Sequence, residues 1–390
     1  MERIIMHIDV NNAFLSWTAV DLLNKGSKID IREKEAVIGG DESKRRGIVL
    51  AKSIPAKNKG VVTAETLYNA RKKCPNLQVY RPNYVLYDTM SRGMFSLIKK
   101  YTSDVEIVSI DECFIDYGKV KNLYGDEVDF AYKLKDEIYN KFGFTVNIGI
   151  ANNKLCAKMA SDFTKPNKVH TLYENEVKEK MWPLKVGELY GIGKKSTEKL
   201  INLGINTIGD LANTSIEHLY PYFKNQSEYI INIANGIEDS EVISDYTDPK
   251  CISNTITLLY DYTDIDEVNS ELKKISEKLA KELRKQNKYA QVIAIIIKDK
   301  YFKMSTHQEK LKNGTNIGEV IYNTSRKLFK ESWNNIPVRL VGIRLDSLID
   351  SNNYQISLFE DATETEKIDK LEKTIDKLKE KFGDEIIYKR

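Results

Sequence analysis

The order of elements along this 390-residue chain predicts an α+β protein, and three observations carry that prediction. Strand, helix, two strands, helix, strand can be traced through the first 163 residues once an excursion at 30–80 is set aside. That is the split βαβ, ferredoxin-like arrangement. The same order recurs between residues 250 and 345 without evident sequence repetition. Between the two lies a helical stretch, 174–240, with a glycine-containing element of helix-hairpin-helix character. The length points to two to four domains.

Composition narrows the class. With 41% hydrophobic and 30% charged residues the chain is soluble and globular. No apolar run approaches the ~18 residues of a membrane span. The N-terminus opens directly into a strand with no basic-then-apolar leader, so a cytoplasmic rather than secreted protein is expected. Cys74, Cys113, Cys156 and Cys251 show no paired spacing, which argues against a zinc site or a disulfide framework and for a reducing compartment. The net charge of +3 is unevenly spread. Residues 250–345 hold 18 Lys/Arg against 11 Asp/Glu, a net of +7, and residues 346–390 hold 8 against 12, a net of −4. A basic domain followed by an acidic tail is the asymmetry of a nucleic-acid binder.

The chain opens on Ile4-Ile5-Met6-His7-Ile8-Asp9-Val10, a mostly apolar strand ending in an acid. Asn11 and Asn12 precede an apolar-periodic segment reaching about Leu23, so the strand feeds a helix whose start can present N–H groups to an anion. In the excursion, Ala36–Ile38 and Ile48–Leu50 have strand character, and helices are expected over Ser53–Asn58 and Ala64–Lys73. A helix over Tyr84–Tyr101 leads into a hairpin: Val105–Ile110 runs out, Asp111 and Glu112 lie at or near the bend, and Cys113–Tyr117 runs back. Successive strand residues point to opposite faces, so both acids reach one site only through a bend or bulge. A helix over Glu127–Phe142, a strand over Thr145–Ala151 and a helix over Lys154–Phe163 complete the module.

The ferredoxin-like topology sets the first strand beside the central hairpin, which brings Asp9 close to Asp111 and Glu112. Three crowded carboxylates are costly unless cations neutralise them. Magnesium suits them as a hard cation with oxygen ligands. Alone, an Asp-Glu pair reads more readily as a solvated turn; the apolar walls and the matching Asp9, taken with the rest of the chain, argue for a site.

In the helical stretch, Leu189-Tyr190-Gly191-Ile192-Gly193-Lys194-Lys195 leads into a helix. Gly191 and Gly193 let the backbone approach a phosphate, and Lys194 and Lys195 stand at a helix start where the macrodipole disfavours cations. A bound phosphate removes that conflict; a glycine cap with two solvated lysines is the plainer alternative. After a polar linker, Ser240–Asp248, strands are expected over Cys251–Leu259, Gln291–Lys298, Tyr301–His307 and Val338–Leu345, with helices over Val268–Gln286 and Ile317–Glu331. The tail holds Gln355-Ile356-Ser357-Leu358-Phe359, an apolar pair in polar surroundings, then a helix near Thr363–Phe382.

Taken together, Ile8-Asp9-Val10-Asn11-Asn12-Ala13-Phe14, Ser109-Ile110-Asp111-Glu112-Cys113, Lys165-Pro166-Asn167 and Gly191-Ile192-Gly193 resemble the Y-family DNA polymerases, the translesion enzymes of the bacterial polymerase IV and UmuC type. The resemblance runs from residue 1 to about 345. It implies a right-hand polymerase: a palm at 1–20 and 82–173, small fingers at 21–81, a helix-hairpin-helix thumb at 174–240, a linker at 241–248, a βαββαβ little finger at 249–345 and a tail at 346–390. It implies low-fidelity, template-directed addition of deoxynucleotides to a primer. Asp9, Asp111 and Glu112, with Val10, would hold two magnesium ions as cofactors. Val10, Asn11, Asn12, Ala13, Phe14, Lys57 and Lys165 would hold the triphosphate, Phe14 being the steric gate against a 2′-hydroxyl. Gly191, Gly193, Lys194 and Lys195 would contact DNA. Gln355, Leu358 and Phe359 resemble the peptide by which bacterial polymerases bind the sliding clamp. The expected partners are primer–template DNA, deoxynucleoside triphosphates and that clamp, for a monomer away from membranes. Ile54 and Lys57 depart from the Tyr and Arg of the polymerase IV branch and lie nearer UmuC; lysine keeps the charge but loses the planar fork. A non-catalytic DNA-binding scaffold and a two-metal nuclease are the competing readings.

Overall fold

The computed structural model describes residues 3–244 and 248–350 and, in the tail, 367, 371, 372, 374–378 and 381–383. The clamp-like peptide at 355–359 lies outside the described residues. The chain forms two compact units, one of Met1–Gly40 and Gly47–Tyr246, the other of Asp41–Arg46 and Thr247–Arg390.

In the first unit, β1 (Ile5–Val10) leads into the helix Ala13–Asn24, and β2 (Ala36–Gly39), β3 (Val49–Lys52) and β4 (Gln78–Tyr80) follow. The helix Tyr84–Ile98 precedes β5 (Val105–Ile107) and β6 (Glu112–Asp116). The helix Glu127–Phe142, β7 (Val146–Ala151), the helix Lys154–Asp162 and β8 (Val169–Thr171) complete it. The main sheet has the order β5-β6-β1-β7-β8. Its first four members give the antiparallel ferredoxin-like order, with β1 between β6 and β7.

Every residue of β1 and β7 is buried, because helices cover both faces of the sheet. Alternation sorts the side chains. Met6, Ile8, Val10, Val146, Ile148 and Ile150 pack toward the helices Tyr84–Ile98 and Glu127–Phe142. Ile5, Phe114 and Ala151 pack instead toward the helix Lys154–Asp162. Gly149 is what lets that helix come down. A Cβ there would lie 2.0 Å from the Ala157 carbonyl oxygen and 2.4 Å from the Ser161 nitrogen.

The smaller sheet, β3-β2-β4, pairs β2 antiparallel with β3 and parallel with β4. The helices Lys194–Asn202, Ile208–Ala212, Ile216–Phe223 and Ser227–Ala234 share the second core through Leu200, Ile208, Leu219 and Ile233.

The second unit runs β9 (Cys251–Tyr262), helix Ile265–Lys285, β10 (Lys288–Asp299), β11 (Met304–Thr315), helix Gly318–Ser332 and β12 (Val338–Asp350). The element order is the expected one, but the strand order is β11-β10-β12-β9, so the first strand lies at an edge. Leu279, Leu283, Ile293, Ile295, Phe329 and Ile343 form its core. In the tail helix, Asp376 accepts two hydrogen bonds from the Arg284 guanidinium at 2.6 and 3.0 Å, and Glu372 lies 3.6 Å from it.

One expected strand is displaced. Tyr301 and Phe302, strand formers by type, sit in the β10–β11 turn, where Phe302 has φ 66° and lies under the Arg339 guanidinium at 4.5 Å. β4 and β8, three residues each and both paired in parallel, were not anticipated.

Candidate active site

Because β1 alternates, Ile5, His7 and Asp9 face the helix Lys154–Asp162. Asp9 is the direct cross-strand partner of Glu112 on one side and of Asn147 on the other. Two acids at one sheet position is the product of register alone. The chain bends at 109–111 before Glu112, where the Val108 and Ser109 N–H groups both donate to the Glu112 carbonyl, at 3.1 and 3.3 Å. The Ser109 hydroxyl donates to Asp111 Oδ1 at 2.6 Å, and the Asp111 carbonyl accepts from the Val10 N–H at 3.0 Å.

Lysines neutralise the acids. Lys165 donates to Asp9 and lies 2.9 Å from Asp162; Lys158 donates to Glu112 at 2.7 Å. Buried His7 has Nε2 3.3 Å from Glu112 Oε2 and Nδ1 2.8 Å from the Ser161 hydroxyl. His7 and the Lys158 ammonium hold Glu112 down at about 2 despite its burial. Burial, with the charges of Asp9 and Glu112 beside it, pushes Asp111 up. Burial pulls Lys158 down, but Glu112, Asp9 and Asp162 outweigh it and leave the ammonium raised.

These features fit a cation site. Asp111 feels the charges of Asp9 and Glu112, and those two carboxylates are each paired with an ammonium group. Among the described residues no group of three His, Cys, Asp or Glu side chains is already gathered at metal-binding distance.

Of the expected triphosphate donors, Val10 and Asn11 have their N–H groups engaged inside the sheet, with the carbonyls of Asp111 and Thr145, each at 3.0 Å. At the helix start Asn12 is exposed and stands in the left-handed region at φ 50°, Ala13 is buried and Phe14 half-buried. The Phe14 ring stacks on Tyr87 at 4.5 Å and 6° and meets Tyr84 edge-on, which fixes its plane. Lys57, on the short helix Ile54–Asn58, forms no ion pair with the acids among the described residues. It lies near Lys52, whose ammonium is depressed by burial and by the Lys57 charge. Gly193 caps the helix that begins at Lys194, and Gly191 has φ +93°.

Sequence reasoning missed His7, Lys158, Ser161 and Asn147. The signal was present: Lys154, Lys158, Ser161 and Lys165 recur near helical spacing, and His7 shares the Asp9 face by period two.

Comparisons with known proteins place the chain in a family. Family models described as the impB/mucB/samB family, its helix-hairpin-helix motif and its C-terminal domain match residues 8–162, 174–205 and 249–358. The chain is 46% identical to a DNA polymerase IV of Clostridium acetobutylicum, over 99% of this chain and 97% of that protein. It is 35% identical to a DNA polymerase IV of Acetivibrio thermocellus, over 98% of this chain and 96% of that one. Among solved structures, a Y-family DNA polymerase chimera of Dbh and Dpo4 shares the fold at TM-score 0.76 and 24% identity, covering 89% of this chain and 99% of its own. DinB from Sulfolobus solfataricus matches at TM-score 0.60 and 25% identity, with the same coverage. The chain therefore belongs to the impB/mucB/samB family, and with it to the Y-family translesion DNA polymerases of the polymerase IV type.

Proposed function

We propose that this polymerase performs its nucleotidyl transfer at Asp9, Asp111 and Glu112, with two magnesium ions held between them and the Val10 carbonyl. The observation that carries the reading is the Asp9–Glu112 cross-strand pairing, with the Asp111 carbonyl bonded to the Val10 N–H beside it. When bound, such a pair of ions supplies an activated primer 3′-hydroxyl and charge neutralisation on the attacked and departing oxygens.

The protein's own groups do the positioning. The N–H groups of Asn12, Ala13 and Phe14 offer an anion site at the start of the helix Ala13–Asn24. Lys165, now on Asp9, would turn to the triphosphate as cations take over the neutralisation, and Lys57 would approach from the smaller sheet. Phe14, braced by Tyr87, would exclude a 2′-hydroxyl by contact. Gly191, Gly193, Lys194 and Lys195 would bind a DNA phosphate, and the basic second unit would track the backbone without reading bases. Palm, fingers, thumb and little finger would take 1–20 and 82–173, 21–81, 174–240 and 249–345. Docking of 355–359 on a sliding clamp would raise local concentration at the primer.

Primer extension with all four deoxynucleotides and magnesium tests the reading, with wild type beside Asp111→Ala and Glu112→Ala. Distributive, template-dependent extension lost in both variants is the expected result. Shortened strands that vanish in the variants would replace it with a nuclease, and DNA binding without extension would leave a scaffold.

A further inference from the structure

Asn147 is the one polar side chain in Val146-Asn147-Ile148-Gly149-Ile150-Ala151, and it is fully buried. Core packing gives no reason for an amide there, and burying one is unfavourable unless it is fully bonded. Asn147 meets that condition completely. Its Nδ2 donates to the Ser161 carbonyl at 3.0 Å and to the Thr164 carbonyl at 2.7 Å. Its Oδ1 accepts from Asn11 Nδ2 and from the Lys168 N–H, both at 3.1 Å.

Asn11, also buried, continues the network. Its Oδ1 accepts from the Asn167 N–H at 2.8 Å and from the Thr145 hydroxyl at 2.9 Å. The loop that carries Lys165 is thus held at Ser161, Thr164, Asn167 and Lys168, on both sides of the lysine. All four anchors converge on two amides, one on β7 and one at the end of β1, and Asn147 is the direct cross-strand partner of Asp9.

We propose that the Asn11–Asn147 amide pair is a positioning device for Lys165, fixing its loop on the sheet so that the ammonium is delivered to the Asp9 end and sets the affinity for the incoming nucleotide. This rests on the reading of Lys165 as a triphosphate contact. Asn147 touches no reacting atom; it acts through the loop. Each amide hydrogen bond lost leaves a buried carbonyl or N–H of the loop without its partner, which favours departure of the loop from this geometry.

The test is a double-variant cycle, Asn147→Ser and Lys165→Ala, singly and together, with full-length protein on primer–template DNA. Asn147→Ser is expected to raise the KM for deoxynucleotide about tenfold, the equivalent of one lost interaction. The affinity for DNA should stay unchanged, and kcat should change by less than about threefold. In the Lys165→Ala background the same substitution should add almost nothing. Hydrogen exchange supplies a readout apart from activity and verifies the fold: the Asn167 and Lys168 amides should lose protection in Asn147→Ser while those of β1 keep it. An unchanged KM for Asn147→Ser beside a raised one for Lys165→Ala would overturn the proposal alone. Multiplying effects in the double variant would also overturn it. An unchanged KM for Lys165→Ala would remove the triphosphate reading and this proposal with it.

Discussion

Asp9 and Glu112 stand directly opposite each other across the β1–β6 ladder, each carrying its own lysine, Lys165 and Lys158. Like charges at cross-strand positions repel, so the lysines are what make this register tolerable without a metal. Lys158→Met should therefore destabilise the protein in chelator by about 1–3 kcal/mol, since it leaves Glu112 without its ammonium. Added magnesium should recover more stability in the variant than in wild type, because a bound cation stabilises the fold by mass action. Thermal unfolding with and without magnesium measures both. An equal magnesium response in the two proteins would mean that Lys158 does not compete for the cation site.

Gly149 governs how closely the helix Lys154–Asp162 lies on the sheet, and so where Lys158 and Ser161 stand. Gly149→Ala inserts a methyl group 2.0 Å from a backbone oxygen. It should lower stability by about 3 kcal/mol or more, because packed backbone cannot yield as a side-chain tip does. Urea unfolding reads the loss.

Lys224 ends the helix Ile216–Phe223 at φ 53° and ψ −129°, a conformation that suits glycine. Lys224→Gly should raise unfolding stability by about 1 kcal/mol through relief of backbone strain. The equilibrium denaturation midpoint should move up without a change in slope.

Three cysteines are buried and Cys251 is exposed. Burial and the Glu35 carboxylate push the Cys74 thiol up to about 11, and burial pushes Cys156 up to about 12. Cys251 alone should react rapidly with a disulfide reagent at neutral pH, and Cys251→Ser should remove that reaction. The sign for stability follows from the raised pKa of Cys74. Below about 9 the thiol is neutral folded and unfolded, and its contribution is fully present; between about 9 and 11 only the unfolded thiol ionises, so stability falls as pH rises. Cys74→Ala should flatten that part of the pH–stability curve.

Arg284 is almost wholly buried and holds Asp376 with two hydrogen bonds while also donating to the Asn316 carbonyl at 2.9 Å. Arg284→Met should release the tail helix and speed hydrogen exchange at 374–378, because Asp376 and Glu372 lose the Arg284 guanidinium. The exchange of β10 should hardly change.

Much of this was legible in the chain because it follows from period and register. The apolar run at Ile4–Val10 predicted a buried strand, and the acids at 111–112 demanded a bend or bulge if both were to reach one site; the chain bends at 109–111. The lysine stripe of the helix Lys154–Asp162 was not recognised, since lysines at helical spacing look the same on a solvated face as over a carboxylate. Asn147 was missed because a single amide in a strand gives no sign of its four partners, which come from three other segments. β4 and β8 escaped because their three-residue pairings are set by neighbouring strands rather than by their own residues. Tyr301 and Phe302 misled by type: aromatic propensity favours a strand, while the turn is fixed by Asp299, whose side chain accepts from the Tyr301 and Lys303 N–H groups.

Asp9, Asp111 and Glu112 are proposed to hold the catalytic cations together. Manganese binding followed by electron paramagnetic resonance tests it most directly, on the complex with primer–template DNA and a non-hydrolysable deoxynucleotide. Two ions per wild-type chain are expected, with loss of at least one in each of Asp9→Asn, Asp111→Asn and Glu112→Gln while the DNA stays bound. Full manganese occupancy in all three variants would contradict it and move the metal site elsewhere in the chain.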